Sequence, residues 1–221
     1  MSAKEILNKI IALDEEILKL QDEFDGINEA DREKSLLEAA DAVLKDLKDD
    51  DFVPLSLIRI VEMMGTLDNA ANILVSGLLN SNEEIRQIFG EALITIGNED
   101  GIEAVIPAID KVIENNDIST REMPYILGWI DDPGVIKQIS RFFDNSDALV
   151  VYGAIEASVH IADPDFVEPL KKLTDDKREL PHEEDDDDDE VITIGMLAAE
   201  AISLIESGDD DFDENFDEKE E

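Results

Sequence analysis

The chain has 221 residues, 43 % of them hydrophobic, enough for a buried core in one or two domains. Its 58 acidic and 18 basic residues leave a formal charge of −40, which repels phosphate backbones and anionic lipid surfaces and favours basic partners. Without cysteine there is no disulfide or thiolate chemistry, and His160 and His182 are the only histidines available to a metal. The opening residues MSAKEILNKI carry no charged-then-apolar leader, and no uncharged run reaches the roughly 18 residues a membrane span needs. A cytoplasmic protein without membrane contact is therefore expected.

Residues 1–51 predict a helical hairpin. Ala3, Ile6, Ile10, Leu13, Ile17, Leu20 and Phe24 alternate three- and four-residue steps, the a/d seam of a coiled coil. After the turn FDGIN a second helix offers Leu36, Leu37, Ala40, Val43, Leu44 and Leu47. The hairpin is read either as a cap on the downstream helices or as a surface for self-association or partner docking.

From residue 52 onward one pattern recurs. Counting from Asp68, apolar residues fall at +3, +7 and +10, as Ala71, Val75 and Leu78. Glu99 is followed in the same way by Ile102, Ile106 and Ile109, Asp132 by Val135, Ile139 and Phe142, and Asp163 by Phe166, Leu170 and Leu173. This spacing is helical, and its return every 31 to 33 residues marks a structural repeat. The acidic origins suit the helix N-cap, and Pro133 and Pro164 suit a first turn. Another helical run precedes each origin, at residues 54–65, 83–97, 121–130 and 148–161. Ser119 and Glu122 have capping-box spacing, and Ser81 or Asn82 is placed to start the second run. The run ALVVYGAIEASVHI is apolar nearly all round and should be buried between neighbours. A fifth run, TIGMLAAEAISLIE, comes after an acidic loop insertion at residues 175–190.

Helix pairs of this length, with EEIRQIFGEALITIG first and GIEAVIPAI or FVEPLKKL second, resemble HEAT repeats, especially the short ones of phycobilisome-lyase proteins. The resemblance covers roughly residues 52–206. It implies an all-α fold, a right-handed α-solenoid of about four to five HEAT-like pairs behind the N-terminal hairpin, with stacked pairs sharing one core. Arg86 matches the arginine such repeats often carry early in their first helix, Arg121 is its candidate counterpart, and residues 147–152 carry none.

Two short segments hold much of the charge. Residues 175–190 contain 11 acids and 2 bases and residues 207–221 contain 9 and 1, so together they carry −9 and −8, or −17 of the −40. The run Asp185, Asp186, Asp187, Asp188 and Asp189 lacks the spaced carboxylates of a tight calcium or magnesium loop and reads as solvated charge. The tail, GDDDFDENFDEKEE, is expected to be disordered; Phe212 and Phe216 make it either a solubilising end or an acidic-aromatic arm. His160 lies in an apolar run and reads as a core residue. Trp129, the single tryptophan, reads as core by default or as an interface anchor at a repeat's edge. Against the prevailing sign stand Lys137, Arg141, Lys171 and Lys172; Arg141 and Lys172 both lie at +9 from their origins. They form either partners for local acids such as Glu168 and Asp144 or a small basic patch that docks an acidic group, the chain's own tail included.

No phosphate loop, nucleophile elbow or Ser/His/Asp arrangement stands out, so no catalysis, metal or cofactor is expected. The leading functional expectation is a protein–protein interaction scaffold for a partner with a basic surface, without direct nucleic-acid binding. Its candidate contact residues are Asp185–Asp189, Phe212, Phe216, Trp129, Lys137, Arg141 and Lys172. The alternatives are an acidic chaperone that mimics nucleic acid and, from the family resemblance alone, a bilin lyase or isomerase subunit.

Overall fold

A computed structural model describes residues 3–47, 52–181 and 192–207. Regular structure among them is helical, apart from one antiparallel bridge between Glu179 and Thr193. The chain falls into two compact units, Met1–Ala70 and Ala71–Glu221. The helix expected to open the repeat array, near residues 54–65, is thus grouped with the N-terminal helices.

In the first unit α1 (Ala3–Asp25) and α2 (Glu29–Asp46) are joined by a short turn whose Asn28 Oδ1 accepts the Asp31 amide at 3.1 Å. Helix α3 (Leu55–Met64) presents Leu57, Val61 and Met64 on one face, all buried, and packs against α2. Leu36 and Ala40 are the buried residues of α2. The seam expected along α1 is left largely open where the structure describes it. Leu13 is 57 % and Leu20 56 % exposed, while Ile17 and Phe24 are half-buried. The buried stripe on α2 is narrow, and α2 packs against α3.

The second unit carries the repeats. Its elements are α4 (Ala70–Leu74) running into a 3-10 turn at Val75–Leu79, then α5 (Glu83–Asp100) and α6 (Ile102–Asn115). Next come α7 (Ser119–Gly128), α8 (Val135–Ile139) with a 3-10 turn at Ser140–Phe142, and α9 (Ala148–Ile161). A 3-10 turn at Pro164–Phe166 leads into α10 (Val167–Lys171), and α11 (Ile194–Ser207) closes the described part. The first helices of the successive repeats, α5, α7, α9 and α11, touch in that order, and α6 touches α8. Of the twelve residues at the repeated apolar positions, all are buried except Ile106, which is half-buried while Val105 takes the interior.

The second element of each repeat is less regular than its template. Only α6 is a sustained helix; the others combine a short α-helix with a 3-10 turn. The +7 to +10 step spans three residues, so one tighter turn brings Val75 over Leu78 and Ile139 over Phe142 on a common face. The first of these turns contains Gly77, where a Cβ would lie 2.1 Å from the Phe89 ring of α5.

The acidic origins divide by role. Asp163 Oδ1 accepts the Asp165 amide at 2.8 Å, as a cap should. Glu99 lies inside α5, and the turn into α6 is made instead by Gly101, whose φ of 82° suits glycine. Asp132 serves two helices. Its Oδ1 accepts the Gly134 amide at 2.7 Å, and its Oδ2 accepts the amide of Ile102, the first residue of α6, at 3.1 Å. One carboxylate thereby caps its own turn and the helix one repeat earlier. Replacing Asp132 with Ala should cost about 1–3 kcal/mol, read as a lower urea midpoint, with Asn recovering part of the loss. The expected box at Ser119 and Glu122 does not form: Asp117 Oδ1 accepts the Ser119 amide at 3.0 Å, and Glu122 is drawn into a pair with Arg86. Asn82 caps α5 through the Ile85 amide at 3.3 Å.

The two ends of the acidic insertion meet. Leu180 donates to the Ile192 carbonyl at 3.1 Å, and Ile194 donates to the Arg178 carbonyl at 3.0 Å. Arg178 bonds both carboxylate oxygens of Asp176 and donates to the Asn145 carbonyl at 2.6 Å. Hydrogen bonding from Arg178 holds the Asp176 carboxyl below its ordinary range. Residues 182–191, with His182 and Asp185–Asp189, and residues 208–221, with Phe212 and Phe216, lie outside the described residues.

Candidate functional site

Successive repeats are joined by side chains about one period apart. Arg86 Nε donates to Glu122 Oε1 at 2.8 Å, and Arg121 pairs with Asp147 at 2.8 Å. Where residues 147–152 lack the arginine of the earlier repeats, Asp147 receives one from Arg121 and caps α9 through the Leu149 amide at 3.0 Å. Asn98 Oδ1 accepts the Asp131 amide at 2.7 Å, and Asn145 Nδ2 donates to Asn116 Oδ1 at 3.0 Å. These links tie each repeat to the next.

The same offset builds an aromatic strip on α7 and α9. Tyr125 donates to Glu156 Oε2 at 2.8 Å, 31 residues on, and Tyr152 donates to the other oxygen of Glu156. Burial first, and then the hydrogen bond to Glu156, raise both phenols above their ordinary range, so both remain protonated donors. Four residues beyond Tyr125, Trp129 meets His160, again 31 residues on, with ring centroids 4.4 Å apart and planes tilted by 49°.

Trp129 stands 63 % exposed, which overturns the default reading of it as core. It comes directly after the last residue of α7 with φ −99° and ψ 1°, so the chain leaves the helical path there and the indole emerges at the edge of the repeat. Its carbonyl accepts from Asn98 Nδ2 at 3.4 Å. Gly128 lets α7 approach α9, since a Cβ there would touch that of Ala157 at 3.3 Å. His160 is likewise exposed rather than core, because it occupies the outer end of an otherwise buried helix.

Two grooves border Trp129. One, of about 460 Å³, is lined by residues 128–133, Val135, Ile136, His160, Ile161 and Asp163. Three carboxylates, Asp131, Asp132 and Asp163, belong to it, and no lysine or arginine does. The other, of about 360 Å³, runs along Gly90, Ile94, Tyr125 and Ile126, with the Arg86–Glu122 pair at one side.

The cations on the shorter elements are not a uniform patch. Arg141 pairs with Asp110 of α6 at 2.7 Å, not with Asp144, and also bonds Gln138. Lys171 pairs with Glu168 at 2.7 Å. Lys137 and Lys172 are exposed. Sequence reading missed Tyr125, Asp131 and Glu156, although the signal was present: the 31-residue offset that pairs Asp132 with Asp163 also pairs 125 with 156 and 129 with 160.

Among the described residues no helix is long and apolar enough to cross a membrane, and no group of three His, Asp or Glu is placed to hold a metal. No known family's sequence profile matches the chain, and no curated protein matches it. Among solved structures it is similar to an engineered protein from the Northeast Structural Genomics Consortium, at 19 % identity and a TM-score of 0.35, over 80 % of this chain and 83 % of that one.

Proposed function

We propose that the chain is a non-catalytic scaffold that binds a protein with a basic surface, its second unit being a right-handed α-solenoid of HEAT-like pairs. The observation that carries the reading is the single tryptophan, held open at a repeat edge beside a groove whose charged lining is entirely acidic. Tryptophan is among the side chains most enriched at the hot spots of protein interfaces. A charge of −40 steers cationic partners toward them over distances set by the screening length. The one-period links between repeats support a stack that presents a fixed surface rather than a reaction centre.

The test is binding to basic peptides and proteins in a salt series. Affinity should fall steeply as salt rises, mainly through slower association. Equal affinity at low and high salt would reject the electrostatic half of the proposal.

A further inference from the structure

We propose that the groove beside Trp129 receives an arginine side chain of the partner, its guanidinium stacked on the indole and its N–H groups turned to Asp131. This rests on the reading of the partner as basic and assigns the contact to one place and one residue type.

Charge complementarity selects the occupant. The groove contributes three carboxylates and no cation, so an anionic ligand is repelled, and a purely apolar side chain would leave those carboxylates desolvated without partners. The carboxylates are not equivalent. Asp132 spends both oxygens on the Gly134 and Ile102 amides, and Asp163 caps the Asp165 amide. Asp131 is exposed, only its backbone amide is engaged, by Asn98, and its carboxylate has no hydrogen bond or ion pair among the described residues. It is the acid that a ligand can reach without uncapping a helix.

The aromatic wall selects arginine over lysine. A planar guanidinium stacks on an indole face while its in-plane N–H groups bond a carboxylate at the ring's edge; a compact ammonium cannot do both. Trp129 is set for this before binding. Asn98 holds its carbonyl, and His160 packs against its ring, so little order has to be created when the ligand arrives. At about 460 Å³ the open groove accommodates an arginine together with the backbone that carries it.

Trp129 is the only tryptophan, so its fluorescence reports this groove directly in the full-length chain. The probes are a short tri-arginine peptide and tri-lysine and tri-citrulline peptides of equal length, titrated at low salt. The arginine peptide should change the emission of Trp129 and bind more tightly than the lysine peptide, and the citrulline peptide should do neither. Asp131→Asn should weaken arginine-peptide binding, monitored by emission. Trp129→Ala should weaken it by about three- to thirtyfold, measured by calorimetry. Asp131 is exposed and its carboxylate is unengaged among the described residues, so Asp131→Asn should keep the parent's urea midpoint and isolates the loss of binding. Salt-sensitive binding of arginine and lysine peptides with equal affinity, indifferent to both substitutions, would overturn the groove assignment and leave the basic-partner reading standing. If neither cationic peptide binds at low salt, that reading falls as well.

Discussion

Replacing Phe142 with Ala should destabilise the second unit by about 3–5 kcal/mol, the largest loss we expect from a single side chain. Phe142 is 1 % exposed and sits in the 3-10 turn that extends α8 and packs on α9. Removing its ring deletes buried apolar surface and also leaves a cavity, because helices held on both sides cannot close over the gap. The same position is Leu78 two repeats earlier and Leu173 in the next repeat, so Phe142→Leu should recover much of the loss. Urea unfolding checks this: a lowered midpoint with an unchanged slope is the expected result. A shift of only a few tenths of a kcal/mol would show that the repeats do not share a close-packed interior at this position.

Gly195→Ala should be the most damaging change of a single methyl, costing about 1–3 kcal/mol or more. Gly195 is the second residue of α11, and its amide donates to the Asp176 carbonyl at 2.9 Å. A Cβ there would lie 2.6 Å from the Thr174 carbonyl oxygen and 2.8 Å from that of Asp176. Both obstacles are backbone, so no rotamer change relieves them. The carbonyls are also difficult to move, because Arg178 ties Asp176 to the Asn145 carbonyl in the preceding repeat. The strain should therefore pass to α11, lifting Ile194, Ala198 and Ala201 from their buried seats. Amide exchange at Leu180 and Ile194, the two bonds that close the base of the insertion, should quicken in the variant. Unchanged exchange at both would mean that the base of the insertion is not seated through Gly195.

Much of this architecture was legible in the residues alone. The positions of the helices, the 31- to 33-residue period and eleven of the twelve repeated buried positions can be read from where apolar side chains recur, since a helix's own periodicity dictates which face it hides. Asp163 was readable as a cap, and Asn82 as one of two candidates beside Ser81, for the same local reason. Neighbouring elements decided the rest. The a/d spacing of α1 promised a closed seam, yet Leu13 and Leu20 stay exposed; covering a stripe requires a partner stripe, and α2 packs against α3. Glu122 had the spacing of a capping box but found a stronger partner in Arg86, a choice between a local and a distant contact that spacing cannot rank. Trp129 could be read from the sequence as core or as an interface anchor at a repeat's edge, and spacing alone does not choose between the two. It is exposed where α7 ends one residue before it, with His160 of the adjoining repeat meeting its ring. Local chemistry determines what each helix must bury; only the packed neighbours determine what is left over, and here that remainder is the acidic, aromatic edge on which the proposed recognition depends.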